Sequence, residues 1–226
     1  MNIKPIIILA GEPYSIFSEI FFKSLKSKKF KKPIILICSK QLLIAQMNKL
    51  GFKIQINLID KKKINLNQLD NNKINLINVS FKFKKTFDKI SNKSNSYIEE
   101  CFTVVLNLLK KNDCAGLING PISKKHFLKH KFLGITEYLA KKNKKNKVVM
   151  LIYNKKLSVS PITTHLPLKD VPKNIYKKKI VDHIKLIKQF YKKEFNKNPK
   201  IAITGLNPHC ESNYKSSEED KIIKPA

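Results

Sequence analysis

The alternation of apolar strands and amphipathic helices over the first 60 residues limits the fold of this chain more than any other feature. Apolar runs predict strands at Lys4–Ala10, Pro33–Cys38 and Lys53–Ile59, and helical spacing of apolar residues predicts helices at Ser15–Lys26 and Lys40–Leu50. A strand–helix–strand order implies parallel strands with helices packed on the sheet faces. We therefore predict an α/β fold with a mostly parallel sheet.

The rest of the chain continues this alternation after a polar interruption. Residues Lys61–Asn95 are rich in lysine, asparagine and serine, and we predict one or two edge strands and loops there. The elements predicted beyond this segment are a helix at Ser94–Lys110, a strand at Cys114–Ile118, a hairpin of Val148–Tyr153 and Leu157–Pro161, a long helix within Pro172–Phe195, and a strand at Lys200–Thr204.

The charge of the chain is strongly positive, with a formal net value of +30 from 46 basic residues. A charge of this size raises the hypothesis of nucleic-acid binding. However, every basic residue is lysine, and arginine is the usual residue for bidentate recognition of bases and phosphates. The lysines are spread along the whole chain among many asparagines and isoleucines, which a bias of the source genome explains. We therefore expect no specific nucleic-acid partner.

The remaining composition indicates a cytoplasmic protein. The apolar run that ends at Ala10 is too short to span a membrane, and the Gly11-Glu12-Pro13 turn after it is unlike a signal peptide. The four cysteines show no CxxC spacing, so we expect free thiols.

Two histidines are placed where parallel sheets bind ligands. His209 follows the predicted strand Lys200–Thr204 in the sequence Gly-Leu-Asn-Pro-His, and His165 follows the second strand of the predicted hairpin. Ligands of open α/β sheets bind at the carboxyl ends of strands, so both histidines are candidate metal ligands. The other three, His126, His130 and His183, have helical or lysine-rich neighbours and are predicted to be surface or interface residues.

A divalent metal site normally needs at least three protein ligands, and spacing does not select the third. The candidates left open are Asp170, Asp182, Cys210 and Glu211.

Thr136 is a candidate for anion binding. It precedes the predicted helix Glu137–Lys142, so it can cap that helix, and its hydroxyl could also join the backbone N–H groups of a helix start in binding phosphate. The turn Gly120–Lys124 carries a lysine that could reach an anion. The chain has neither a GxGxxG turn nor a Walker loop.

Five motifs taken together, in their order along the chain, resemble the 4-hydroxythreonine-4-phosphate dehydrogenase family. They are Gly11-Glu12-Pro13, Asn119–Lys124, Phe132–Glu137, Thr163–Leu168 and Gly205–His209. The resemblance runs along the whole chain. It implies NAD-dependent oxidation of 4-phosphooxy-L-threonine, followed by decarboxylation to 3-amino-2-oxopropyl phosphate, in pyridoxal phosphate biosynthesis.

The resemblance also implies the parts of the site. A divalent cation, which could be zinc, magnesium or cobalt, would act as a Lewis acid. His165 and His209 match two of three metal-binding histidines, and Thr136 matches a substrate-binding residue. The implied fold is the two-domain α/β/α architecture of isocitrate and isopropylmalate dehydrogenases, here with domains at 1–125 and 126–226. The implied site lies between the domains and is completed in a homodimer.

The chain departs from the family pattern in three places. Ile135 stands where the family has a histidine, and Tyr14–Ser18 and Cys210 onward replace glycine-rich segments. Roughly a third of the family length is absent, including the third metal histidine, so we expect a C-terminally truncated chain with impaired activity. Two alternatives stay open: a dehydrogenase of another 4-phosphorylated hydroxy acid, and a non-catalytic homologue that binds phosphate or metal.

Overall fold

The computed structural model describes residues 4–27, 30–61, 68–111, 114–129, 131–206 and 217–226. The chain divides into two compact units, residues 1–131 and 132–226. The first unit contains a parallel sheet with helices, which confirms the predicted α/β class. In the described part of the chain, no helix combines the length and the apolar character needed to cross a membrane.

The first unit is built on a five-stranded parallel sheet. Its strands lie in the order β3-β4-β2-β1-β5. Their bounds are Ile6–Leu9 for β1, Ile34–Cys38 for β2, Ile56–Leu58 for β3, Ile74–Asn78 for β4 and Gly116–Asn119 for β5. The helices of this unit are α1 at Phe17–Ser27, α2 at Lys40–Lys49 and α3 at Asn95–Lys110. The order of elements matches the prediction, with bounds shifted by up to three residues.

The core of this unit lies on both faces of the central strands. Fully buried side chains come from β1, α1, β2, β4 and α3, and include Ile7, Leu9, Phe22, Ile35, Leu36, Ile37, Leu76, Ile77, Ile98, Phe102 and Val105. Continuous apolar runs such as Ile34–Ile37 are typical of parallel strands that are covered on both faces. The apolar stripe of α3 packs into this core.

The prediction that strands within Lys61–Asn95 lie at a sheet edge was wrong for β4. Strand β4 lies between β3 and β2, and four of its five residues are buried. The polar residue Asn75 makes the sequence resemble that of a half-exposed strand. Inside the protein, however, its side chain has hydrogen-bond partners. Its amide donates to the carbonyls of Ile34 and Asp70 at 3.1 and 3.0 Å, and its oxygen accepts from Asn57. A buried polar side chain is tolerated when its hydrogen bonds are complete.

Two glycines bring the carboxyl ends of β1 and β5 into close contact. A methyl group on Gly120 would lie 2.2 Å from the carbonyl oxygen of Ala10, and one on Gly11 would lie 2.4 Å from that of Pro121. Gly11 also has a φ of 76°, a region that favours glycine. The N–H of Glu12 donates to Pro121 at 2.8 Å. The turns that follow the first and fifth strands are therefore held in close contact with each other.

The second unit is organised by two helices, α4 at Ile135–Lys142 and α5 at Lys177–Phe195. The predicted hairpin is reduced to a single antiparallel bridge between Ile152 and Val159. The prediction of a strand at Lys200–Thr204 was wrong for the described residues. Its alternating apolar side chains satisfy the pattern, but no described neighbour supplies backbone hydrogen bonds, and Ile201 and Ile203 remain more than one-third exposed.

Three of the cysteines, Cys38, Cys101 and Cys114, are buried and form no disulfide, as expected. Burial raises the pKa of Cys101 to about 12, which leaves this thiol protonated and unreactive at neutral pH. Cys210 lies outside the described residues.

Candidate functional site

His165 is presented by a loop with an unusual backbone. Its φ is 58°, in the left-handed region, and its side chain is exposed. Residues other than glycine adopt a positive φ uncommonly, and such residues are concentrated at functional sites. The backbone of the loop at His165 is therefore of a kind that marks it as a candidate functional position.

Helix α4 begins two residues earlier than the sequence indicates. Gly134 is the residue before the helix, with an extended backbone, and Ile135 is the first helical residue. Thr136 is thus not the cap, and the prediction of that role was wrong. The hydroxyl of Thr136 is instead on the first turn, half-buried, and it lines a cavity. The first N–H groups of a helix have no partner within the helix, so this turn suits an anion.

The imidazole of His165 lies next to the start of α4. A methyl group on Gly134 would be 3.9 Å from Cδ2 and 4.0 Å from Nε2 of His165, and 3.1 Å from Oε2 of Glu137. His165 and the first turn of α4 are therefore brought together over Gly134. Of the predicted site residues, the structure places Thr136 and His165 in this one neighbourhood. His209 lies outside the described residues.

A cavity of about 570 Å³ opens beside this neighbourhood, wholly within the second unit. Its walls come from the first turn of α4, the segment 146–150, the loop before and after His165, and the start of α5. Three lysines, Lys147, Lys178 and Lys179, and two acidic residues, Glu137 and Asp182, line the cavity. A pocket that combines a helix start with an excess of lysine suits a small anionic ligand.

The polar groups on the α5 side of the cavity are paired with one another. Lys147 forms an ion pair with Asp182 at 2.9 Å, and the hydrogen bond from Lys147 lowers the pKa of Asp182. Lys179 donates to the carbonyl of Asn174 at 3.0 Å, and burial lowers its pKa. The carboxylate of Asp182 is therefore already paired with Lys147, which makes it a weaker candidate for a metal ligand.

His183 was wrongly predicted to be a surface or interface residue. It is 9% exposed, and its Nε2 lies 2.6 Å from Oγ of Ser160. Ser160 donates its single proton to the carbonyl of Met150, so Nε2–H of His183 donates to Ser160. Burial lowers the pKa of His183, and the charge of Lys179 lowers it further. The helical spacing Ile180-His183-Ile184-Ile187, read as one buried face, was the signal available in the sequence.

Glu12 is the corresponding buried polar group of the first unit. It is 1% exposed, and its Oε1 accepts a hydrogen bond from Ser94 at 2.6 Å. Burial raises its pKa, while the hydrogen bond from Ser94 and the charge of His126 act in the opposite direction. The Gly11-Glu12-Pro13 turn is therefore explained by internal packing, because Glu12 faces the interior of its own unit.

The residues described around His165 fit a divalent cation only in part. Among them no group of three histidine, cysteine, aspartate or glutamate side chains could hold a metal. Asp170 lies on the short helix Leu168–Asp170. Cys210 and Glu211 lie outside the described residues, as His209 does. What the structure supplies is one imidazole and one carboxylate oxygen, Oε2 of Glu137, which is closed off from solvent and has no hydrogen-bond partner in the described part.

Relatives of known name support the family suggested by the motifs. The chain is 37% identical to a 4-hydroxythreonine-4-phosphate dehydrogenase of Sulfurihydrogenibium, with 97% of this chain and 68% of the relative covered. It is 31% identical to the protein of the same name from Wigglesworthia glossinidia brevipalpis, covering 100% and 68% of the two chains. The chain thus spans about two-thirds of the length of these relatives.

Solved structures agree in fold. The crystal structure of the enzyme of that name from Klebsiella pneumoniae matches with a TM-score of 0.85 at 24% identity, over 98% of this chain and 70% of the other. The family model described as pyridoxal phosphate biosynthetic protein PdxA matches residues 29–226. The match covers far more than half of the sequence, and the chain belongs to the PdxA family.

Proposed function

We propose that this chain carries out the NAD-dependent, cation-assisted oxidation of 4-phosphooxy-L-threonine, with decarboxylation to 3-amino-2-oxopropyl phosphate, in pyridoxal phosphate biosynthesis. The proposal rests on one observation: His165 lies close to the first turn of α4, which contains Thr136. The imidazole of His165, a common metal ligand, is thus near the backbone N–H groups at the start of α4, which can bind an anion. The relatives reported above are named 4-hydroxythreonine-4-phosphate dehydrogenase, which supports the dehydrogenase part of the proposal.

The substrate phosphate is proposed to bind at the start of α4. The hydroxyl of Thr136 and the backbone N–H groups of the first turn would donate to phosphate oxygens. The lysines of the adjacent cavity, Lys178 and Lys179 among them, supply a positive potential that favours an anionic substrate. Ile135 offers only an apolar side chain at this turn, so Thr136 carries the side-chain hydrogen bond alone.

The reacting hydroxyl is proposed to lie on the His165 side of the same site. His165, with His209 as its partner, would hold a divalent cation. When bound, the cation would act as a Lewis acid on the reacting oxygen, and NAD would be the oxidant. The backbone of His165 is left-handed, a conformation that is concentrated at functional sites and that supports a ligand role for this residue. No NAD-binding residue is assigned, because the chain carries no GxGxxG turn.

The proposal extends to the assembly and to the rate. We propose a cytoplasmic homodimer, with no specific nucleic-acid or membrane partner. About a third of the length of the relatives has no counterpart in these 226 residues, so we expect the 226 residues alone to turn over slowly. The nearest alternative is the oxidation of a different 4-phosphorylated hydroxy acid, which would use the same phosphate and cation contacts.

The test is an assay of NADH formation by the purified chain with a divalent cation. The proposal predicts slow turnover of 4-phosphooxy-L-threonine that a chelator abolishes and that fresh cation restores. Turnover of another 4-phosphorylated hydroxy acid in its place would favour the alternative substrate. Tight binding of both compounds without any NADH would favour a non-catalytic binding protein.

A further inference from the structure

The carboxyl group of Glu12, which the proposed function does not use, belongs to the most deeply buried acidic residue in the described part of the chain. Glu12 is 1% exposed, and its Oε2 atom is closed off from solvent and makes no hydrogen bond within the described residues. None of the ion pairs between described residues includes Glu12. A buried carboxylate without an ionic partner is costly, and such a group normally becomes neutral instead.

The side-chain hydrogen bond between Glu12 and Ser94 shows where a proton could lie. Oγ of Ser94 is 2.6 Å from Oε1 of Glu12 and 3.0 Å from the carbonyl oxygen of Ser91. A serine hydroxyl carries one proton, so Ser94 can donate to only one of these two oxygens. The distance of 2.6 Å fits either a serine that donates to a carboxylate or a neutral carboxyl group that donates to a serine.

The two arrangements differ in the charge that they leave inside the protein. An ionised Glu12 takes the proton of Ser94 and keeps a buried negative charge with a single hydrogen bond. A neutral Glu12 donates from Oε1 to Ser94, and Ser94 donates to the carbonyl of Ser91, so that both protons have an acceptor. The second arrangement therefore buries no charge and makes one more hydrogen bond.

The titratable groups that face Glu12 among the described residues supply one possible positive charge. Cys38 and Tyr97 border the same small cavity as Glu12, and burial raises the pKa of both. Burial also raises the pKa of Tyr14 in the adjoining turn, so these three groups are neutral at pH 7. The remaining group is His126. Burial raises the pKa of Glu12 and outweighs the opposing charge of His126.

We propose that Glu12 holds a proton in the folded protein at neutral pH and donates it to Ser94. The resulting chain of two hydrogen bonds ties the turn after β1 to Ser94, the residue before α3. Ionisation of Glu12 at higher pH leaves one proton for two acceptors and puts a charge into the core, so it loosens this connection. The backbone N–H of Glu12 also donates to Pro121 at 2.8 Å, so the proton affects how firmly the carboxyl ends of β1 and β5 are held together.

The test is infrared spectroscopy of the full 226-residue chain in heavy water at neutral pH, where a protonated carboxyl group has a carbonyl stretch separate from the carboxylate bands. We expect the wild type to show such a band and Glu12→Gln to lose the intensity of one carboxyl group. Glu100→Gln on α3 is the matched control, because Glu100 is exposed, and it should keep the band. Ser94→Ala removes the acceptor, so the band should remain and move to higher frequency.

Stability provides a second readout. Because the pKa of Glu12 is raised above its ordinary value of 4.5, its contribution to the free energy of unfolding is fully present below pH 4.5. It is lost as the pH rises through the raised pKa of the folded state. Glu12→Gln cannot ionise and keeps a donor for Ser94. Its thermal midpoint should therefore rise relative to that of the wild type between pH 4.5 and pH 7.

The inference is overturned if the wild type shows no protonated carboxyl group at neutral pH, or if the band is unchanged in Glu12→Gln. A constant difference between the two thermal midpoints over this pH range would also contradict it. If Glu12→Gln does not fold, Ser94→Ala decides, because a band that stays at the wild-type frequency there does not come from a group that donates to Ser94. None of these results bears on the proposed function, since every residue involved lies in the first unit.

Discussion

Nε2 of His183 lies 2.6 Å from Oγ of Ser160, inside the second unit and beside the cavity wall. The contact explains how a histidine on a lysine-rich helix comes to be buried. Because Ser160 donates onward to the carbonyl of Met150, the imidazole is held as the tautomer that donates from Nε2. The pair joins α5 to the segment before the His165 loop.

The first prediction concerns the pH dependence of stability. Burial lowers the pKa of His183 below its usual value of 6.5, so the fold favours the neutral imidazole. The contribution of this neutral imidazole to the free energy of unfolding is fully present above pH 6.5, the usual pKa of histidine. It is lost as the pH falls from 6.5 toward the lowered pKa of the folded state. His183→Gln keeps a neutral donor for Ser160, so its thermal midpoint should fall less between about pH 7 and 5 than that of the wild type. Equal slopes for the two proteins would contradict this account of His183.

The second prediction tests the hydrogen bond itself. Ser160→Ala leaves Nε2–H of His183 buried without its acceptor, which should destabilise the second unit by about 1–3 kcal/mol. Ser24→Ala is the control, since the hydroxyl of Ser24 is on exposed helix surface and bonds only to the carbonyl of Ile20 in the described structure. It should stay within about 0.5 kcal/mol of the wild type in urea unfolding. Equal effects of the two changes would show that the contact contributes nothing.

The third prediction concerns the close contact between the turns that follow β1 and β5. Gly120→Ala places a methyl group 2.2 Å from the carbonyl oxygen of Ala10, so the backbone must shift. Overpacking of this kind should destabilise the first unit by about 1–3 kcal/mol. Gly116→Ala in β5, the strand that Gly120 follows, is the matched control, because a methyl group there meets nothing within 4 Å. Denaturant unfolding should separate the two variants, and similar midpoints would show that the close contact relaxes freely.

The fourth prediction concerns Thr136. Thr136→Val removes the hydroxyl from the first turn of α4 and keeps the shape of the side chain. Loss of a hydrogen bond to a charged group is worth about 1.5–3 kcal/mol, so the affinity for 4-phosphooxy-L-threonine should fall by roughly ten- to a hundredfold. Thr103→Val on α3 is the control, because its exposed hydroxyl bonds to the carbonyl of Glu99. Calorimetric titration of both variants checks the prediction, and an unchanged affinity of Thr136→Val would remove Thr136 from the site.

The parallel sheet of the first unit was predictable because its residues signal their environment locally. Runs such as Ile34–Cys38 are apolar throughout, as strands covered on both faces must be, and the helices between them carry regular apolar stripes. Strand β4 was misplaced at the edge because Asn75 is polar. Only the tertiary structure shows that the carbonyls of Ile34 and Asp70 satisfy it.

The second unit was predicted less well because its pattern depends on partners. The segment Lys200–Thr204 alternates like a strand, but a strand forms only where another backbone pairs with it. The site shows the same division. His165 and Thr136 were predicted by motif, and the structure places both near Gly134, whereas the burial of Oε2 of Glu137 could not be predicted because it depends on neighbours in space.

The most direct measurement of the central claim is the titration of the chelator-treated chain with 4-phosphooxy-L-threonine, with and without a divalent cation. We predict that the wild type binds the substrate more tightly by at least tenfold when the cation is present, and that His165→Ala loses this gain. His126→Ala, a change at a half-buried histidine of the first unit, should keep it. Substrate binding that is independent of the cation, or a gain that survives in His165→Ala, would contradict the account.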